Sequence, residues 1–174
     1  MKVTFVIFLF MRTLYLLRHA KSSWKDASLR DFDRPLKRRG RDAAKQIGKR
    51  LASEKPEPEI VVCSPAVRAR ETADIVLKHA KLKVDVNFDD RIYEASLRDL
   101  LQVVGDVADD KQVAMMIGHN PGLEELVAYL TGEHRRMATC AVAKISLDAA
   151  SWKDVRADQG TLEWFVTPKE LAED

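Results

Sequence analysis

Two arginines and two histidines stand where phosphate chemistry would need them. Arg18 and His19 follow the apolar run 14–17, Ser64 and Arg68 follow the run 60–63, and His119 and Asn120 follow the run 113–117 and Gly118. Arginine presents a planar fork of donors that matches phosphate oxygens. A neutral imidazole is a competent nucleophile toward phosphorus, and neighbouring guanidinium groups disfavour its protonated form. A second imidazole can donate to the equatorial oxygens as charge spreads in the transition state. The set points to phosphoryl transfer with His19 as nucleophile, and with Arg18, Arg68 and His119 around the phosphoryl group. Ser22 and Asn120 join as candidate substrate-binding residues.

Other chemistries fit less well. Cys63 lies one residue too close to Arg68, and one too far from Arg70, for the loop of a cysteine-dependent phosphatase. It reads instead as a small apolar strand residue. The four histidines show no pair at metal-ligand spacing, and Cys63 and Cys140 are far apart. Neither a zinc cluster nor a disulfide framework is expected, which fits a reducing compartment; the expectation is no metal and no cofactor. A net charge of +2 from 29 basic and 27 acidic residues is too balanced for a nucleic-acid binder. His79, His134 and Arg135–Arg136 read as solvated, and Lys37–Arg39 as a surface run able to steer an anionic partner. Trp24, in a polar loop bordering the site, is a candidate contact for a protein substrate.

The elements that must position these side chains alternate along the chain. Short apolar runs predict strands over 13–17, 60–63, 84–88 and 113–117. Helices are predicted over 40–52, 66–80, 97–107 and 123–130, with Ser64 as N-cap and Pro65 at the first position of the second. A polar loop covers 20–38. Two further strands, 140–147 and 161–166, form a hairpin or a neighbouring pair around 148–160. This order implies an α/β fold, a three-layer α/β/α sandwich with a mostly parallel central sheet. Ligands in such sheets bind beyond the carboxyl ends of the strands, where all three candidate segments emerge.

With 174 residues, 46% of them hydrophobic, the chain can bury one substantial core. Residues 1–10, MKVTFVIFLF, are too short an apolar run to span a bilayer and lack a small-residue cleavage site. They read as an extension preceding Met11, with one domain over 11–174. The expected location is cytoplasmic, with no membrane or nucleic-acid partner. Nothing in the sequence specifies an oligomeric state, and a monomer is compatible with it.

The motifs also carry a resemblance. Leu16-Leu17-Arg18-His19-Ala20 resembles the Arg-His-Gly signature of the histidine phosphatase superfamily, also called phosphoglycerate mutase-like, with Ala20 where many members have Gly. Ser64-Pro65-Ala66-Val67-Arg68-Ala69-Arg70-Glu71-Thr72 is similar to its second motif, and Gly118-His119-Asn120-Pro121-Gly122 to its third. The stretch from Arg18 to Trp24, and Asp31-Phe32-Asp33-Arg34-Pro35-Leu36 with Arg39-Gly40, resemble the small SixA-like branch of phosphohistidine phosphatases. The resemblance implies a phosphoglycerate mutase-like fold and a phosphohistidine intermediate on His19 that water hydrolyses. It implies a pocket completed by Arg18, Arg68 and His119, and Glu94 as candidate proton donor. The implied substrate is phosphohistidine in a protein. The alternatives are a sugar phosphate or other small phosphorylated molecule, hydrolysed or returned by a mutase, and a non-catalytic phosphate-binding module.

Overall fold

The computed structural model describes residues 11–172; the expected extension 1–10 lies outside the described residues. Six strands form one sheet: β1 (Met11–Arg18), β2 (Ile60–Cys63), β3 (Val86–Phe88), β4 (Val113–Gly118), β5 (Val142–Asp148) and β6 (Gly160–Val166), in the spatial order β3-β2-β4-β1-β5-β6. The ladders joining β3, β2, β4 and β1 are parallel, whereas β5 runs antiparallel to β1, and β6 antiparallel to β5. Strand β3 is shorter than the apolar pattern predicts. It pairs only with Val61–Cys63 at the sheet edge, so its short neighbour limits its length.

Alternation along β1 sends side chains to both faces. Leu14 and Leu16 join a core with α3 (Leu97–Gly105) and α4 (Gly122–Thr131), which contribute Leu100, Val103, Leu123 and Leu126. Tyr15 and Leu17 join the opposite core with α1 (Arg38–Glu54) and α2 (Val67–Ala80), which contribute Ala44, Ile47, Leu51 and Val76. Two helical layers thus sandwich the sheet, as expected. Full burial of each large aliphatic side chain contributes about 1.5–3 kcal/mol before ordering entropy is subtracted. Helix α3 opens with a reciprocal capping box between Ser96 and Asp99, and α4 closes on Gly132, whose φ of 71° suits a residue without Cβ.

One expected cap is corrected. Helix α2 begins at Val67, with Ala66 as N-cap and no side-chain cap bond. Ser64 stands two residues before that cap. Its hydroxyl accepts from the Ala66 N–H at 3.3 Å and meets His119 at 2.7 Å.

Candidate active site

Parallel registry aligns the ends of three neighbouring strands. Arg18 pairs with Gly118, and Cys63 with Ile117, so His19, Ser64 and His119 leave the sheet at one edge. Backbone bonds continue the alignment past the strands: His19 N–H donates to Gly118 O at 3.0 Å, and Ser64 N–H to Ile117 O at 2.9 Å. From the other side, Cys140 N–H is shared between the carbonyls of Arg18 and His19, each at 3.1 Å. Thr72 of α2 adds a further tie. Its hydroxyl accepts from Ala20 N–H at 2.9 Å and donates to Arg68 O at 2.6 Å.

His19 is buried. Its Nδ1 lies 2.8 Å from the Ala20 carbonyl. A carbonyl can only accept, so Nδ1 carries the proton and Nε2 carries the lone pair. Desolvation by burial, helped by the charges of Arg68, Arg18 and Arg34, lowers the pKa of His19 to about 4 against a partial offset from Ala20. His119 stands with its ring 4.9 Å from that of His19 and 5.6 Å from Tyr93. Desolvation, then His19, Arg68 and Arg18, lowers its pKa to about 3, with Asp31 acting the other way. Both rings are therefore neutral at physiological pH.

The arginines are held differently. Arg18 donates from Nη1 to the Met137 carbonyl at 2.7 Å. Burial lowers its pKa; Glu124 opposes this, while Arg136 and Arg68 add to it. Arg68 donates to both the backbone carbonyl and the Oδ2 of Asp31, at 2.6 and 2.8 Å. The same carboxylate accepts from Arg34 Nη2 at 2.6 Å and from the Tyr93 hydroxyl at 2.9 Å. Burial pushes the Asp31 carboxyl up, but the bonds from Tyr93 and Arg68 and the charge of Arg68 outweigh it and bring the pKa to about 2. Arg18 Nε, Arg68 Nε, Arg34 Nη1 and His119 Nδ1 are buried without a hydrogen-bond partner among the described residues. Buried polar atoms of this kind call for a partner, and three cationic side chains beside two neutral imidazoles suit an anion.

The remaining candidates, Ser22, Asn120 and Glu94, have contacts of other kinds. Ser22 is buried and forms an isolated backbone bridge with Leu36, pinning the base of the 20–38 loop. Asn120 directs its amide N–H groups to Glu124 at 2.6 Å and to Met137 O at 3.0 Å. Met137 N–H in turn donates to Glu124 at 2.8 Å. Asn120 thereby steadies the carbonyl that receives Arg18. Glu94 lies exposed on the turn after Ile92, at φ 52°, beside Tyr93, on which its charge acts. Burial pushes the Cys63 thiol up to about 12, which disfavours a thiolate nucleophile.

Sequence reasoning did not single out Asp31, Arg34, Tyr93 or Thr72 for a role. Asp31 and Arg34 stand in the Asp31–Leu36 motif, and Thr72 closes the Ser64–Thr72 motif. Nothing in their spacing shows that one carboxylate gathers Arg34, Arg68 and Tyr93. Trp24 stacks on Arg34, whose guanidinium carbon is 3.4 Å from the ring centroid, and its indole is 75% exposed. A separate groove of about 920 Å³ between α3 and the Trp152–Arg156 segment contains none of these residues. No group of three or more His, Cys, Asp or Glu among the described residues is arranged to hold a metal ion. No helix among them is long and apolar enough to cross a membrane.

Comparisons with known proteins agree on a family. The family model of the histidine phosphatase superfamily (branch 1) matches residues 14–111, just over half the chain, including Arg18, His19, Arg68 and Glu94. An uncharacterized chloroplastic protein of Arabidopsis thaliana is 34% identical over 166 residues, covering 88% of this chain and 74% of the relative. A candidate phosphohistidine phosphatase SixA from Nakamurella multipartitia superposes with a TM-score of 0.79 at 28% identity, covering 91% of this chain and 96% of that one. A protein histidine phosphatase SixA in complex with tungstate gives the same TM-score at 25% identity, over 91% of this chain and 99% of the other.

Proposed function

The chain belongs to the SixA-like branch of the histidine phosphatase superfamily, and from that premise we propose that it is a metal-independent phosphatase acting on phosphohistidine in proteins through a phosphoenzyme on His19. The observation that carries this reading is the tautomer of His19: Nδ1–H is committed to the Ala20 carbonyl, which leaves the Nε2 lone pair for phosphorus. A ring lowered to about 4 stays neutral throughout the physiological range.

In the first step Nε2 of His19 forms a bond to phosphorus as the bond from phosphorus to the substrate nitrogen breaks. The departing nitrogen keeps that electron pair, and the substrate ring, which carries its proton on the other nitrogen, leaves as a neutral imidazole. In the second step water attacks the phosphorus, the bond from phosphorus to Nε2 breaks, and inorganic phosphate leaves with His19 regenerated. Arg18, Arg68 and His119 stabilise the equatorial oxygens in both steps. Asp31 orients Arg68 by holding two of its nitrogens. A SixA relative is found in complex with tungstate, a phosphate-like oxyanion, which supports an oxyanion as the ligand here. Glu94 is the proposed proton donor for alkoxide leaving groups. A phosphoramidate nitrogen, once protonated, departs without it. The buried free thiols Cys63 and Cys140 fit the reducing cytoplasm as its location.

The test is phosphate release from phosphoramidate, a phosphohistidine-bearing protein and several sugar phosphates, all with chelator present. Turnover of the first two, lost in His19→Ala and retained in Glu94→Gln, is the expected result. Preference for sugar phosphates with strong loss in Glu94→Gln would replace the reading with a phosphomonoesterase. Binding without turnover across the panel would replace it with a phosphate-binding module.

A further inference from the structure

The start of α1 carries charge of the wrong sign for its position. Helix N-termini are positive ends of the backbone dipole and favour Asp or Glu. Here the first turn contains no acid, and Arg38, Arg39 and Arg41 follow the N-cap Lys37. Lys21 adds another cation, because its carbonyl accepts from Lys37 N–H at 3.0 Å. The contact is tight: a Cβ on Gly40 would fall 2.2 Å from the Lys21 carbonyl oxygen. This basic helix end is therefore locked onto the residue two positions after His19.

The charges at this end are also left largely uncompensated. On other parts of the surface, Arg91 pairs with Asp89 and Asp106, and Arg135 with Glu133. Arg41 pairs with Glu71. Among the described residues, Lys21, Lys37, Arg38 and Arg39 form no ion pair. Lys37 feels its surroundings: desolvation, then repulsion from Arg39 and Lys21, lowers its pKa. Lys21, Arg39 and Lys169 line a groove of about 670 Å³ against a single acid, Asp42, and the same groove takes in Ala138 and Thr139. Thr139 precedes Cys140, whose N–H holds the backbone of Arg18 and His19. The groove thus borders both the segment that holds Lys21 and the one that leads to Cys140.

We propose that Lys21, Lys37 and Arg39 form a docking surface for the acidic face of a phosphorylated protein whose phosphohistidine enters the His19 pocket. The inference rests on the phosphohistidine phosphatase reading and extends it to how a protein substrate is chosen. Concentrated, unneutralised positive charge stabilises itself least in the free protein and gains most on meeting negative charge. It accelerates encounter and selects the partner more than it alters the chemical step. A small phosphoramidate cannot span the pocket and the groove, and gains little from it.

The experiment compares wild type with the double variant Lys37→Glu/Arg39→Glu. The probes are phosphoramidate, a phosphohistidine protein with acids flanking the phosphorylated residue, and the same protein with those acids replaced by amides. The double variant is expected to hydrolyse phosphoramidate within about twofold of wild type, while kcat/KM on the acidic protein falls about tenfold or more through KM. The amide-substituted protein should show the same loss with wild type. Raising ionic strength should weaken wild type on the acidic protein and leave the double variant nearly unaffected. Equal kcat/KM on the acidic protein for both enzymes would overturn the docking surface, as would a parallel loss on phosphoramidate. Failure of wild type to hydrolyse phosphoramidate would instead remove the phosphatase reading, and the docking proposal with it.

Discussion

Strand β1 ends in arginine environments of opposite kinds. Arg12, near its start, is buried and donates to the carbonyls of Asp109, Lys111 and Ala150 and to the Asp109 carboxylate. It also stacks over Trp152, 5.3 Å from the ring centroid. Arg18, at the other end, has one carbonyl acceptor, Met137, and feels the charge of Glu124 against those of Arg136 and Arg68. Each keeps a buried Nε without a partner, so an orphan nitrogen alone does not separate them. What separates them is the balance of charge and acceptors. Arg12 is supplied with enough oxygens to serve as a structural clasp between β1 and the 109–111 and 150–152 segments. Arg18 is left short of them, beside another guanidinium and two neutral imidazoles, and so is set up to receive an anion.

The sharpest way to break this comparison is to remove each arginine in turn. Arg18→Ala is expected to lower kcat/KM for phosphoramidate on the order of 10²–10³-fold, the scale of losing one preorganised donor to the transition state. Its melting temperature should hold or rise, because a crowded cation is gone. Arg12→Ala is expected to keep kcat within about threefold, since a clasp away from the reacting atoms acts on stability, which should fall by about 1–3 kcal/mol as buried carbonyls lose their donor. Steady-state kinetics and thermal melts on the same two proteins decide. A similar loss of activity in both would end the distinction.

The acid limb of activity sharpens it further. A folded-state pKa near 4 for His19 predicts that kcat/KM stays level from neutral pH down to about 5, where a histidine near 6.5 would already be lost. Arg18→Ala removes one of the charges depressing His19 and should move that limb upward; Arg12→Ala should leave it unmoved. Stability carries the same signature. Both histidines have folded pKa values below the unfolded 6.5, so the unfolded chain binds more protons as pH falls through that value. Their contribution is present above about 6.5 and is lost progressively toward 4 and 3. Asp31 behaves as a depressed carboxylate. Its stabilisation is present above about 4 and is lost as pH falls toward 2. Urea melts from pH 7 to pH 3 on wild type and Asp31→Asn separate the two windows, because Asp31→Asn removes the lower one and, by withdrawing the charge that raises His119, extends the upper one toward lower pH.

The smallest effect belongs to Cys63. Its thiol lies against the Ser64 carbonyl at 3.2 Å in the buried end of β2. Cys63→Ser should keep kcat within about threefold of wild type, as expected for a group outside the transition state. Loss of turnover there, with retention in His19→Ala, would transfer the nucleophile from imidazole to thiol.

Much of this was written in the sequence. The short apolar runs gave the strands of the parallel core, because a strand buried on both faces needs uninterrupted aliphatic residues. The three polar segments after β1, β2 and β4 placed His19, Ser64, Arg68 and His119 at one edge, because parallel strands share their carboxyl ends. Local pattern was less able to fix boundaries and caps: Ser64 looked like a helix cap and is instead a partner of His119. The assignments that depend on long-range meeting were out of its reach. Asp31 and Arg68 are 37 positions apart, and Asp31 and Tyr93 are 62 apart, so no periodicity links them. Only the folded chain decides that one carboxylate gathers both arginines and the tyrosine, and that one arginine of β1 is satisfied while the other is not. Residue types can be read one at a time, whereas the supply of acceptors around a buried charge is a property of everything the fold packs against it.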